Sequence, residues 1–252
     1  MNGYPTFYYD NRFKDAAPVA SSTAAGDYNV LNLNDWAPFT WWKPNAMPAT
    51  VTENCGTPKS ANYCLVYGHD LFTQGATFEL RGSTDNFAAS DVLVATKTPT
   101  DNKAFLLQFA TATYQYWRYR LTGATAPAIA IAAAGMALAM PRRLRTGFDP
   151  LGREPKMQDN RSAAGHPLSK MIDYEEWGEK LAFRNLDTAW LRANFEPAWK
   201  AHLRGTPFIF AWDPTDHGDE LYLTTMKAGF KSAHQEGAFT NLDFDLRAVV
   251  QP

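Results

Sequence analysis

The stretch Tyr114-Gln-Tyr-Trp-Arg-Tyr-Arg-Leu121 decides the fold class that the sequence predicts. Aromatic and cationic side chains alternate along it, in the order Trp117, Arg118, Tyr119, Arg120. In an extended backbone, this alternation places the apolar side chains on one face and the cations on the other. The stretch is therefore typical of a β-strand in an antiparallel sheet with one buried face.

Six further β-runs surround this strand. They cover residues 49–55, 61–67, 76–81, 91–96, 103–109 and 128–138, and glycine- or proline-containing breaks such as Gly56-Thr-Pro58 and Gly82-Ser-Thr-Asp85 separate several of them. Short strands at a spacing of about 8–12 residues indicate a sandwich or barrel. We predict a β-sandwich over residues 28–140, preceded by an N-terminal arm of residues 1–27.

The pattern changes from Pro141 onward. Residues 168–174 and 180–184 indicate a hairpin around Gly178, and strands are expected at 208–212, 220–226 and 238–249. Between the runs at 180–184 and 208–212, Asp187 can cap a helix that has an apolar stripe. Pro197 is expected to kink or break this helix. The sequence predicts an α+β domain, β-β-α-β-β-β, over residues 141–252. The fold class as a whole is mainly β.

Composition and charge exclude several classes of protein. The 252 residues are 45% hydrophobic and hold 24 Lys+Arg against 26 Asp+Glu, so neither disorder nor a basic nucleic-acid surface is indicated. The opening residues do not resemble a signal peptide, and the apolar run 126–140 is too short to span a bilayer. We expect a soluble protein made in the cytosol, without membrane insertion or a nucleic-acid partner.

Candidates for chemistry are few. Nucleotide-binding glycine loops, a nucleophile elbow and zinc-site spacings are absent from the sequence. The acidic stretch Asp213-Pro-Thr-Asp-His-Gly-Asp-Glu220 can be interpreted as a cation or acid–base site, but a polar turn between two strands is the favoured interpretation. Cys55 and Cys64 can pair, although two reduced, packed thiols are favoured. We expect no catalytic or metal-binding residue, no cofactor and no enzymatic activity.

An aromatic cluster near the start of the predicted sandwich is the other conspicuous feature. It consists of Trp36, Phe39, Trp41 and Trp42. Stacked rings can form a sugar-binding platform, because the apolar face of a ring packs against sugar C–H groups. The alternative, which we favour, is that these side chains plug one end of the sandwich.

The segment Tyr116-Trp-Arg-Tyr-Arg-Leu-Thr-Gly123, followed by a last strand at 128–138, resembles the penultimate strand of discoidin-like (galactose-binding-like) jelly rolls. Upstream, residues 49–55 and 62–69 are similar to paired strands of the same fold. The resemblance implies a jelly-roll sandwich. It also implies the alternative function of a carbohydrate-binding module in host-surface recognition.

A second resemblance covers most of residues 28–250 and includes Trp42-Lys-Pro44, Phe183-Arg-Asn-Leu186 and Pro207-Phe-Ile-Phe-Ala-Trp212. In these segments the chain is similar to minor tail or distal tail (baseplate) proteins of long-tailed phages. This resemblance implies a structural virion protein at the tail tip, with residues 141–252 as a tail-tube-like module. The implied partners are further copies in a homo-oligomeric ring (a hexamer, by resemblance), the tail tube, other tail-tip proteins and a host-surface glycan.

Overall fold

The computed structural model describes residues 3–249, which form two compact units. The sandwich unit comprises residues 8–137, and the second unit comprises the described residues up to Phe7 and from Leu138 onward. This division differs from the predicted boundaries 1–27, 28–140 and 141–252. Residues 8–27 are not a separate arm, because Phe13 is buried in the core of the sandwich. Strand β1 (Thr6–Tyr8) instead pairs with β8 (Leu138–Ala139) in the second unit.

The sandwich unit is built from six antiparallel strands. They are β2 (Val19–Ala20), β3 (Ala49–His69), β4 (Thr77–Ser83), β5 (Val92–Lys97), β6 (Phe105–Thr122) and β7 (Ile129–Gly135). Their order is β2-β3-β6-β4-β5, and β7 pairs with the second half of β3, on the edge opposite to β6. Two short 3-10 helices, Arg12–Lys14 and Val30–Asn34, precede the long strands.

Strands β3 and β6 are long and pair along most of their length. Their register runs from Ala49↔Leu121 to Asn54↔Tyr116, shifts, continues from Lys59↔Tyr114 to Ala61↔Ala112, and after a second shift runs from Tyr63↔Gln108 to Val66↔Phe105. Each pair of runs predicted at 49–55 and 61–67, and at 103–109 and 114–121, is therefore one continuous strand. Side chains from both halves meet in a single buried cluster that includes Val51, Cys64, Phe105, Trp117 and Tyr119. The prediction of a mainly β fold with a β-sandwich is confirmed.

The second unit contains an eight-stranded sheet. Its other strands are β9 (Glu154–Arg161), β10 (Pro167–Asp187), β11 (Phe208–Ala211), β12 (Tyr222–Met226), β13 (Lys231–His234) and β14 (Phe239–Val249). The order is β8-β1-β11-β12-β14-β10-β9, with β13 also paired to β14. The strands predicted at 208–212, 220–226 and 238–249 correspond to β11, β12 and β14.

A helical segment of residues 188–203 follows β10. Asp187 caps it as predicted, because its Oδ1 accepts hydrogen bonds from the backbone N–H groups of Ala189 (2.7 Å) and Trp190 (3.2 Å). The chain stays helical through Pro197, with wider π-type turns at Leu191–Phe195 and Trp199–Leu203. Of the expected kink or break at Pro197, the break does not occur, because the residues on both sides of Pro197 are helical. No helix within residues 3–249 is long and apolar enough to cross a membrane.

The predicted hairpin around Gly178 is wrong. Gly178 lies inside β10, where it pairs with Arg247 of β14. The actual hairpin joins β9 to the first half of β10, with Met157↔Ile172 and Lys170↔Asp159 among its pairs. A glycine in a strand interior resembles a turn signal in sequence, and here the ladder to β14 continues past it.

Candidate functional site

Three connecting loops of the sandwich unit lie against one another, and we call this surface the loop end. They are residues 70–76, 98–104 and 123–128. Asp70 Oδ1 accepts the backbone N–H of Ala128 at 2.6 Å, and Asn102 Oδ1 accepts that of Phe72 at 3.1 Å. Gly123, whose φ is +147°, approaches Gly75 closely: a Cβ atom added at Gly123 would lie 3.0 Å from the carbonyl oxygen of Gly75. The loops therefore support each other through direct contacts.

Residues 35–42, which carry the predicted aromatic cluster, pair with the start of β7 directly after residues 123–128, and we include them in the loop end. The backbone N–H and carbonyl of Trp42 form hydrogen bonds with Ile129 at 2.8 and 2.9 Å, next to residues 123–128. Trp42 is 1% exposed and belongs to the core cluster of the sandwich, and Trp36 is 3% exposed, so neither ring is available as a sugar-binding platform. Trp36 has a φ of +59°, a conformation that is uncommon for a bulky residue.

Phe39 behaves differently from the buried tryptophans, since 79% of its surface is exposed. The loop that carries it is closed by Asp35, whose Oδ1 accepts the backbone N–H of Ala37 (2.8 Å) and whose Oδ2 accepts the hydroxyl of Thr40 (2.6 Å). Trp41 is half-buried beside it in sequence. The cluster therefore divides into buried rings that complete the core and an exposed ring held on a closed loop.

Phe72 is a second exposed aromatic side chain of the loop end, at 52% exposure. Its backbone N–H and that of Thr73 donate to Asn102 Oδ1, and Asn102 Nδ2 returns a hydrogen bond to the Thr73 hydroxyl at 2.7 Å. His69 Nε2 also bonds the carbonyl of Lys103 at 2.8 Å. Sequence reasoning missed Phe72, because a single phenylalanine before Gly75 has no pattern that separates an exposed ring from a packed one.

The acidic stretch 213–220 forms a turn between β11 and β12. Asp213 is buried, and its Oδ1 accepts the backbone N–H groups of Thr215 and Asp216, both at 3.2 Å. Glu220 Oε2 accepts the indole N–H of Trp212 at 2.5 Å, and the ring of His217 stacks on that indole with centroids 4.6 Å apart. These side chains hold the turn together. Across residues 3–249 no group of three or more His, Cys, Asp or Glu side chains could hold a metal ion.

The two cysteines are separate thiols within the sandwich unit. Burial, together with the charges of Asp15 and Glu53, raises the pKa of Cys55 to about 12. Burial also raises the pKa of Cys64, which is fully buried in the core. Both thiols are therefore protonated near neutral pH and are poor nucleophiles.

The hairpin of β9 and residues 167–176 of β10, which we call the hairpin arm, is a second surface with exposed apolar side chains. They are Met157, Leu168, Met171, Ile172 and Tyr174, with exposures between 43% and 63%. Met157 pairs with Ile172 and Gln158 with Met171, so adjacent pairs place apolar groups on both faces. A two-stranded hairpin exposed on both faces is marginally stable alone. Sequence reasoning missed this arm.

No protein-family model and no curated protein matches the chain. Several solved structures are similar to about half of it. Chitosan-binding module 1 of a chitosanase/glucanase from Paenibacillus sp. IK-5 is 17% identical, with 50% of this chain and 98% of that chain covered and a TM-score of 0.43.

Two further similar structures come from other bacteria. CpGH89CBM32-5 from Clostridium perfringens, in complex with GalNAc-β-1,3-galactose, is 14% identical over 49% of this chain and 97% of that chain, with a TM-score of 0.42. A GH29 fucosidase mutant of Ruminococcus gnavus, in complex with fucose, is 11% identical over 51% and 27% of the two chains, with a TM-score of 0.44. The similar structures thus include carbohydrate-binding modules.

Proposed function

We propose that the sandwich unit is a carbohydrate-binding module whose ligand packs on the loop end. The observation that carries the proposal is the exposure of Phe39 and Phe72 on loops that are fixed by hydrogen bonds. An aromatic face binds the C–H groups of a sugar ring. Loops already held in place lose little conformational freedom on binding, which favours affinity. The ligand proposed is a glycan on a host surface.

The test is a glycan array probed with the full chain, followed by titration of the glycans captured. We expect Phe39→Ala and Phe72→Ala each to weaken binding by about tenfold or more, since each removes a stacking face. Val19→Ala is the matched control, because Val19 is 69% exposed in β2 of the same unit but lies outside these loops. Capture of no glycan, or unchanged binding by both phenylalanine variants, would contradict the proposal.

The second candidate is a structural subunit of a phage tail tip, in a homo-oligomeric ring that contacts the tail tube and is located in the virion. This identity rests on the sequence resemblance alone. The feature of the structure that favours an assembled state is the hairpin arm, because apolar groups on both faces of an exposed hairpin gain stability when a protein surface covers them. Both candidates assign a binding role, without catalysis or a cofactor.

A further inference from the structure

Three arginines share the outer face of the sandwich unit. Arg118 and Arg120 of β6 point outward because Trp117, Tyr119 and Leu121 point into the core. In the register of the sheet, Arg118 lies directly opposite Arg81 of β4 on one side and Thr52 of β3 on the other. Like charges directly opposite each other destabilise a sheet unless they are compensated.

Carboxylates compensate two of these arginines. Arg81 Nε contacts Asp91 Oδ1 at 2.6 Å, and Arg81 Nη1 contacts Glu79 Oε2 at 2.8 Å. Arg120 Nη1 lies 3.6 Å from the same oxygen of Glu79. The positive charge of both side chains is therefore balanced within the sheet.

Arg118 has no such partner. Its Nε donates to the hydroxyl of Thr52 at 2.8 Å, and no carboxylate of residues 3–248 lies within ion-pair distance of its guanidinium. Burial lowers the pKa of Arg118 and the charges of Arg81 and Arg120 lower it further, whereas Asp91 raises it. Its two terminal nitrogens donate no hydrogen bond to the described chain, so they are available to an external acceptor.

The loop of residues 84–91 holds an aromatic ring over this guanidinium. The Cζ of Arg118 lies 3.6 Å from the centroid of the Phe87 ring. Asn86 and Phe87 both have left-handed backbones, with φ of +58° and +63°, which are costly for residues other than glycine. The surrounding structure must therefore stabilise this conformation.

Asp85 and Ser83 supply that stabilisation. The carboxylate of Asp85 accepts the backbone N–H groups of Ala88 (3.2 Å), Ala89 (2.9 Å) and Ser90 (3.0 and 3.1 Å). The hydroxyl of Ser83 donates to Asp85 Oδ1 at 2.9 Å and accepts the backbone N–H of Phe87 at 2.8 Å. Stacking on Phe87 and the bond to Thr52 thus fix the plane and the rotation of the guanidinium before any ligand arrives.

We propose that Arg118 binds the carboxylate of an acidic sugar residue through its two terminal nitrogens. A guanidinium fork matches a carboxylate with two parallel hydrogen bonds, and such charge-assisted bonds are stronger than neutral ones. The ligand also compensates the charge that Arg118 brings next to Arg81. This site extends the proposed carbohydrate-binding function with a second, charge-selective subsite on the sheet face.

The experiment titrates the full chain with a glucuronate-containing oligosaccharide and with the same oligosaccharide after reduction of its carboxyl groups. We expect the acidic form to bind at least about tenfold more tightly, with a shift of the Arg118 guanidinium signals in nuclear magnetic resonance spectra. Arg118→Gln removes the charge, and Arg118→Lys keeps the charge but lacks the guanidinium fork. Both variants should therefore lose this preference. Lys14 is an exposed cation of the same unit, so Lys14→Gln removes the same charge as Arg118→Gln and serves as the control.

Three results would overturn the proposal: equal binding of the two forms, a wild-type preference retained by Arg118→Lys, or an equal loss of preference in Lys14→Gln. The guanidinium signals of the wild-type chain keep the test valid if Arg118→Gln fails to fold. A sulfated oligosaccharide of the same length tests whether another oxyanion substitutes for the carboxylate; if it binds more tightly through Arg118, carboxylate specificity is wrong. Phe39→Ala should leave the acid preference intact, which separates this site from the loop end.

Discussion

The loop end of the sandwich unit and the hairpin arm of the second unit both expose apolar side chains, but they hold them in different ways. At the loop end, Phe39 and Phe72 stand on loops that Asp35 and Asn102 fix by hydrogen bonds. In the hairpin arm, two paired strands expose side chains on both faces. The first arrangement suits a small, rigid ligand, whereas the second gains most from a protein partner.

The core of the sandwich unit sets the largest effect that we expect. Trp117 is fully buried, and its Nε1 donates to the carbonyl of Lys59 at 3.3 Å. Trp117→Ala should lower the free energy of unfolding by about 3–5 kcal/mol, because a large cavity remains. Urea denaturation followed by tryptophan fluorescence and circular dichroism measures this loss, with Trp117→Phe as a milder control. A loss below about 1 kcal/mol would contradict a close-packed sandwich core.

The pH dependence of the sandwich unit gives an intermediate effect. Burial raises the pKa of Glu53 to about 7, although a hydrogen bond from the backbone N–H of Ala16 (2.6 Å) lowers it and Asp15 raises it. Glu53 Oε2 is buried without a hydrogen-bond partner. Because the folded pKa lies above the ordinary value of 4.5, its contribution to stability is full below about pH 4.5 and is lost as the pH rises through about 7.

Glu53→Gln removes this titration. The unfolding free energy of the variant should therefore fall less than that of the wild type between about pH 5 and about pH 8. Asp216→Asn, at an exposed position of the second unit, controls for the loss of one carboxylate. If the unfolding free energies of Glu53→Gln and of the wild type change with pH in parallel, Glu53 is ionised throughout this range and the prediction is wrong.

The hairpin arm should give the smallest effect on stability. Met171 is 58% exposed, so Met171→Lys should change the unfolding free energy of the monomer by no more than about 0.5 kcal/mol. If copies of the chain cover the arm in a ring, the same variant should reduce self-association in sedimentation velocity. A loss of stability above about 2 kcal/mol without any change in association would instead place Met171 in an intramolecular core.

Regular alternation explains why the sequence predicts the sandwich well. Trp117, Tyr119 and Leu121 mark the inner face of β6 without any knowledge of tertiary contacts. The strand pairs do not follow in this way: residues 49–55 and 62–69, which resemble paired strands, belong to the single strand β3. The N-cap at Asp187 is equally local, since its own side chain makes the defining hydrogen bonds. Features of this kind are encoded within a few residues and can be predicted from them.

The rest depends on distant contacts. The sequence of β9 is Glu-Pro-Lys-Met-Gln-Asp-Asn-Arg, residues 154–161. Apolar and polar residues do not alternate in it, because both faces of the strand are exposed to solvent. Trp42 is buried and pairs with Ile129, a contact across 87 positions that the local sequence does not reveal. The alternation in β6 predicts that Arg118 points outward. It does not reveal that the Phe87 ring stacks on Arg118, or that Glu79 and Asp91 form ion pairs with Arg81.

The most direct test of the central claim maps a bound neutral glycan onto the full chain by nuclear magnetic resonance. The backbone amide signals of residues 35–42, 70–76 and 98–104 should shift on titration with a neutral oligosaccharide captured on the array. Signals of the hairpin arm should stay in place. Shifts confined to the second unit, or no shift with any captured glycan, would contradict carbohydrate binding by the loop end.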